Sequence, residues 1–227
     1  MSEPTPHFSS AATTATYAQN ALRLVPGLAA LHRMTLILLS EGAPADARVL
    51  VLGAGGGMEL KVFAEAQPNW TFDGVDPAPA MLALAEQTLG PLMRQVTLHE
   101  GLIDIAPDGP FDAATCLLTL HFLSRQDRLD TLRAVRHRLK SGAPFVMAHH
   151  SFAQDDRGRD IWPQRFAAFA AAPGDDQGKA AMARTQLFTQ LPVLSPDDEE
   201  ALLREAGFTD VTLFYAAFTF RGWVALA

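Results

Sequence analysis

The feature that most constrains this chain is the apolar run Arg48-Val49-Leu50-Val51-Leu52, which leads straight into Gly53-Ala54-Gly55-Gly56-Gly57. A short unbroken apolar segment ending at a turn is the pattern of a strand buried on both faces, as strands of parallel sheets are. The spacing then turns helical from Met58 to Gln67. In a strand, glycine turn and helix in that order, the backbone can approach a ligand closely. The free N–H groups and positive end of the helix face whatever negative group lies there.

The alternation continues. Strands are predicted at Thr71 to Asp76, Gln95 to His99, Phe111 to Leu117 and Ala143 to His149, and helices at Ala78 to Leu89 and Gln126 to Leu139. Leu129, Leu132, Val135 and Leu139 form one apolar helix face, with Ser124 as its cap and Gly142 as its stop. Ser195-Pro196-Asp197-Asp198 opens a further helix with a serine cap, an early proline and acids set against the helix dipole; Gly207 ends it. Val211 to Tyr215 and Phe218 to Leu226 read as an antiparallel hairpin. The fold class predicted is α/β: a Rossmann-like, seven-stranded, mostly parallel sheet with a C-terminal antiparallel hairpin, helices on both faces and an N-terminal helical cover.

One domain is expected over 1–227, because 227 residues at 48% hydrophobic content suit one two-sided core. Its parts are a tail and helical cover (1–44), a ligand-binding core (45–150), a helical insertion placed as a lid (151–194), and a closing helix and hairpin (195–227). The cover has two helical segments, Thr13 to Arg23 and Leu28 to Leu39, broken at Pro26-Gly27, after a Ser/Thr/Pro/Ala-rich tail at Met1 to Ala15. The insertion carries helical patterns at Asp160 to Ala171 and Lys179 to Thr189.

A formal charge of −7 leaves no cationic surface fit to neutralise many phosphates, so a nucleic-acid partner is not expected. No apolar stretch is long enough for a membrane span, and the N-terminus lacks the basic and apolar regions of a signal peptide. The single cysteine, Cys116, cannot form an internal disulfide; a reducing, cytoplasmic setting and a small-molecule partner are expected, and a homodimer is compatible with the sequence. No metal is expected, since His121, His149 and His150 have no carboxylate at ligand spacing.

Asp76, at the end of the second predicted strand, stands nineteen residues beyond Gly57. At that distance a carboxylate can accept hydrogen bonds from both ribose hydroxyls of a nucleoside. Met58 stands where the dinucleotide fingerprint wants its third glycine, which disfavours an NAD-linked oxidoreductase.

The segment Val49 to Gly57 resembles the first motif of the class I S-adenosylmethionine-dependent methyltransferases. Gly74-Val75-Asp76-Pro77 through Met81 and Leu82 is similar to that family's second-strand motif, and His99-Glu100-Gly101-Leu102-Ile103-Asp104 to its adenine-capping segment. Phe111 to Ala114 followed by Cys116 to Leu123 is similar to its fourth-strand motif. The resemblance implies methyl transfer from S-adenosylmethionine to an O, N, S or C nucleophile of a small molecule, leaving S-adenosylhomocysteine. It implies cofactor contacts at Gly53, Ala54, Gly55, Gly57, Asp76, Pro77, Met81, Gly101, Leu102, Ile103 and Leu117, with Tyr17 closing from the N-terminal helices. Many members carry an acid where Leu102 stands, which shifts adenine recognition to backbone groups or Asp104. Within the family, Arg23 to Gly27, Leu120 to Leu123 and Phe220 to Ala225 resemble the carboxy-S-adenosylmethionine synthase branch. Leu117 replaces that branch's asparagine and Arg184 is displaced from its arginine, so the ordinary methyl donor is favoured. A non-catalytic binder of the same cofactor is the remaining alternative.

His150, His149 and His121 are the candidate general bases, since a neutral imidazole can take a proton from the acceptor. Strand alternation sends His149 and His150 to opposite faces, so only one can face a substrate. Trp162, Arg165, Phe166 and Tyr215 are the candidate acceptor-binding residues.

Overall fold

The computed structural model describes residues 11–171 and 185–227, with side chains from Tyr17 onward. The sheet contains β1 (Arg48–Leu52), β2 (Thr71–Asp76), β3 (Val96–Glu100), β4 (Ala113–Leu117), β5 (Pro144–His150), β6 (Thr209–Ala217) and β7 (Phe220–Leu226). The helices are α1 (Ala11–Leu24), α2 (Leu28–Gly42), α3 (Met58–Ala66), α4 (Pro79–Leu89), α5 (Arg125–Arg138), α6 (Asp156–Ala170) and α7 (Pro196–Glu205). The strand order is β3-β2-β1-β4-β5-β7-β6, with β7 antiparallel to both neighbours.

Alternation along β1 explains its unbroken apolar sequence. Leu50 and Leu52 enter a core layer with Leu129 and Leu132 of α5 and Leu202 and Leu203 of α7. Val49 and Val51 enter the opposite layer, with Leu39 of α2 and Leu60 and Phe63 of α3. Both faces are covered, as a parallel strand requires. After β1 the chain runs outward to β2 and β3, then returns to place β4 on the other side of β1. The resulting crevice at the carboxyl ends of β1 and β4 is where open α/β sheets bind ligands.

Several boundaries differ from expectation for local reasons. Helix α1 begins at Ala11, inside the stretch read as a tail, and β4 begins at Ala113 because Phe111 pairs only as an isolated bridge with Leu139. Helix α5 ends before Leu139, which is extended, while Gly142 forms the turn into β5 at φ 77°. Helix α6 begins at Asp156 because the Asp155 carboxylate caps Gly158 N–H at 2.6 Å. Phe218 lies in the hairpin turn at φ 49° rather than in a strand. The pattern read at Lys179 to Thr189 falls partly outside the described residues; 185–190 is helical.

Helices α5 and α7 are joined by a buried ion pair. The Arg128 guanidinium donates to Glu199 Oε1, and Arg128 also donates to the Leu123 and Pro192 carbonyls at 3.1 and 2.9 Å. His149 Nε2 of β5 lies 2.9 Å from the same carboxylate oxygen. All three side chains are fully buried. Removing one partner strands the other's charge, so Glu199→Ala should lower stability by about 3–5 kcal/mol, read by urea denaturation. A loss under about 1 kcal/mol would show that the pair does not hold these helices.

Candidate functional site

The glycine turn is held against β2 by main-chain bonds. Gly53 and Ala54 N–H both donate to the Val75 carbonyl, at 2.8 and 3.0 Å. Gly53 has φ 78°, and a Cβ there would lie 2.0 Å from Thr119 Oγ1, so only glycine lets the turn seat beside the β4 exit. Gly57, at φ 77°, starts α3 so close to α4 that a Cβ would meet the Ala85 backbone at 3.0 Å.

Asp76, at the tip of β2, faces this turn. Its Oδ2 accepts Gly55 N–H and its Oδ1 accepts Ala78 N–H, both at 2.9 Å. Burial pushes its pKa up while the two amides oppose that shift. An ionised carboxylate has about four acceptor sites, so two stay available to a ligand.

Turn and acid form the floor of a cavity of about 500 Å³, within the usual range for small-molecule sites. One end is bounded by Pro77, Met81, Gly101, Leu102 and Ile103, with Asp104 at its edge. Tyr17 of α1 lies over the glycine turn, where a Cβ on Gly55 would meet its Oη at 3.2 Å and Met81 Cε at 3.7 Å; Ala21, Leu28, Met58, Leu117 and Leu118, which pack in one apolar cluster, and His32 of α2 line the remainder. The chain bends by 85° between α1 and α2, so helices continuous in sequence form two walls. Leu118 holds a left-handed φ of 59°, a strained conformation of the kind found at ligand sites.

Two ionisable groups that sequence reading passed over face this space. Glu59, the second residue of α3, is buried among the lining residues. Burial and the neighbouring Asp76 push its pKa up to about 8, against the pull of its own backbone amide. His32 is buried on α2, and desolvation lowers its pKa to about 4. An acid in a first helical turn reads by default as a dipole partner, which hid Glu59. His32 follows Leu28 by four residues, so same-face spacing could have shown that both point inward. Burial, then Glu59 and Asp76, push the Tyr17 phenol above its ordinary range.

Ten of the twelve residues proposed for cofactor contact line the cavity; Ala54 and Gly57 do not. Ala54 is fully buried in the core beside Gly74, and Gly57 serves as the N-cap of α3.

The three candidate bases lie outside the lining, behind the β4 exit. His149 faces Glu199 and Trp223 on one side of β5. His150 packs against Phe220, Phe166 and Phe188 on the other, with Nδ1 2.9 Å from Thr219 Oγ1, and burial lowers its pKa to about 3. His121 accepts the His150 backbone N–H at 3.4 Å, and burial holds its pKa well below the ordinary value. His121 stands between the lining residues Leu120 and Phe122, its ring 4.2 Å from that of Phe122, but none of the three histidines is itself part of the lining.

None of the candidate acceptor residues Trp162, Arg165, Phe166 and Tyr215 lines the cavity. Trp162 carries the guanidinium groups of Arg165 and Arg221 over its ring, at 4.7 and 5.3 Å. Phe166 is core, and Tyr215 Oη donates to the Pro26 carbonyl, pinning the bend between α1 and α2. Helix α6 supplies no lining residue; it supports α1, whose Arg23 donates to the Ala170 carbonyl at 3.3 Å. Cys116 is fully buried, which raises its thiol pKa.

Comparison with known proteins agrees with this arrangement. A family model described as a methyltransferase domain matches residues 50–145. The carboxy-S-adenosyl-L-methionine synthase of Chromohalobacter salexigens is 27% identical over 207 residues, covering 89% of this chain and 77% of that protein. The enzyme of that name from Actinobacillus succinogenes is 25% identical, covering 90% and 86%. Human N-acetylserotonin methyltransferase, solved with its methyl donor, superposes with a TM-score of 0.61 at 18% identity. The superposition covers 99% of this chain, which spans 60% of the human one. With the sheet order, the glycine turn and the acid at the tip of β2, these likenesses support a class I S-adenosylmethionine-dependent methyltransferase.

Proposed function

We propose that this chain transfers the methyl group of S-adenosylmethionine to a small uncharged acceptor held between α1, α2 and the β4 exit. The observation that carries the reading is the Asp76 carboxylate, fixed by Gly55 N–H in the floor of a cavity that also holds the orphan acid Glu59. The donor, when bound, supplies a methyl group on a positively charged sulfur. Asp76 accepts from the ribose hydroxyls, and the glycine turn with the α3 N-terminus receives the amino-acid carboxylate. Met81, Leu102 and Ile103 cover the adenine. Glu59 has no hydrogen-bond partner among the described residues beyond its own amide, and it meets the donor's ammonium group. The apolar far end keeps water from the reacting atoms, which makes alignment the protein's main contribution.

The charge of the lining favours the ordinary donor over a carboxylated one. Among the described residues it includes Glu59, Asp76, Asp104, Asp127 and Asp130, and neither lysine nor arginine. A desolvated extra carboxylate needs a cation beside it, and Arg184, weighed for that role from the sequence, lies outside the described residues. Mass spectrometry of the copurified nucleoside should therefore return S-adenosylmethionine or S-adenosylhomocysteine. A carboxylated species would shift the reading to the synthase activity named for the bacterial relatives.

Asp76→Ala should weaken S-adenosylhomocysteine binding by at least tenfold in calorimetry; unchanged affinity would remove the acid from the site. Glu59 adds a pH dependence whose sign is fixed. In the free protein it keeps its proton up to about pH 8, and a cationic ligand favours the carboxylate. Binding therefore releases a proton below pH 8. Affinity should fall as pH drops from about 7.5 to about 6, by up to tenfold per unit, while the ligand's α-ammonium stays charged throughout that range. Glu59→Gln should flatten the slope, and an identical slope in that variant would show that another group titrates.

A further inference from the structure

Resting on the methyl-transfer reading, we infer that His32 is the general base of the reaction and that the acceptor is an apolar molecule presenting a phenolic or enolic hydroxyl. The inference starts from position. His32 stands one turn beyond Leu28 on the inner face of α2, and both residues line the cavity. The surrounding wall at this end is Ala21, Leu28, Met58, Leu117 and Leu118, all hydrocarbon or thioether. His32 has no hydrogen-bond partner among the described residues although it is 4% exposed. Its ring nitrogens are not among the sealed, unpartnered polar atoms, so an imidazole on this apolar wall is open to a hydrogen bond from a ligand in the cavity.

The chemistry narrows what that ligand is. Burial keeps His32 neutral at physiological pH, so one ring nitrogen is an acceptor. It therefore receives a proton from the substrate and does not supply charge to hold an anion. The described lining has no lysine or arginine, which disfavours carboxylate or phosphate acceptors. An apolar body with one weakly acidic hydroxyl satisfies both conditions. In the step, the hydroxyl oxygen's lone pair forms a C–O bond to the methyl carbon, and the C–S bond breaks with its electron pair passing to sulfur. The hydroxyl proton moves to the imidazole. The products are a methyl ether, S-adenosylhomocysteine and a histidinium that burial disfavours, so its proton returns to water as the products leave.

The probes are 4-methylphenol and 4-nitrophenol, chosen because the second ionises unaided near neutral pH. Wild-type protein should methylate both. His32→Ala should lower kcat with 4-methylphenol by 10²–10⁴-fold, the usual range for a lost general base, and with 4-nitrophenol by less than tenfold. A binding readout is independent of turnover: calorimetry of 4-methylphenol into the S-adenosylhomocysteine complex should show at least fivefold weaker binding in His32→Ala, with nucleoside affinity within twofold of wild type. Equal losses for both phenols would overturn the base role. Intact nucleoside binding with no methylation of either phenol by wild type would overturn the acceptor class while leaving the cofactor assignment in place. Absence of nucleoside binding would instead remove the reading on which the inference rests.

Discussion

The hydrogen bond from Gly55 N–H to Asp76 Oδ2 is the contact on which the rest of this site depends. It joins the turn after β1 to the tip of β2, two points twenty-one residues apart in sequence, and so fixes the spacing between the turn's amides and the acid, the two groups proposed to receive a nucleoside ligand. The neighbouring bonds from Gly53 and Ala54 to the Val75 carbonyl extend the same tie. A carboxylate this buried is expensive unless amides hold it. Two do, so it can remain ionised and directed into the crevice before any ligand arrives.

From that tie the division of the cavity follows. The β1–β4 switch opens the crevice, the glycine turn and Asp76 furnish its floor, and the bend at Pro26-Gly27 brings α1 and α2 across its far end. The bend is itself held from a distance, because Tyr215 of β6 donates to the Pro26 carbonyl across 189 residues of sequence. The closing hairpin thus stabilises the acceptor wall although no residue of it lines the cavity.

The floor was legible in the sequence because its signals are local. An apolar strand, a glycine turn and an acid at fixed distance are set by backbone geometry, and Gly53, Gly55, Asp76 and Met81 stand where that reading puts them. The far end was not legible. His149 and His150 sit at the carboxyl edge of β5, where a ligand contact is a fair expectation, but His150 packs against Phe166 and Phe220 and His149 against Glu199 and Trp223. Which strand ends are covered depends on pairings between residues far apart in sequence. Helical spacing could place Leu28 and His32 on one face, but not say which cavity that face closes.

The charge pattern follows the same separation between floor and wall. Net negative charge was legible from composition, but its use depends on burial: Arg128 and Glu199 neutralise each other between two helices, whereas Glu59 sits in the cavity with no cation set against it. Burial raises the pKa of Glu59 to about 8, so it is neutral in the free protein near pH 7 and ionises where a cationic ligand supplies a partner. A sulfonium nucleoside brings one permanent positive charge and a second on its ammonium, while a dinucleotide's pyrophosphate offers this acid no ammonium partner. On the proposed reading, one residue at the start of α3 therefore favours the sulfonium nucleoside where a strand, a glycine turn and a distant acid leave two cofactors open.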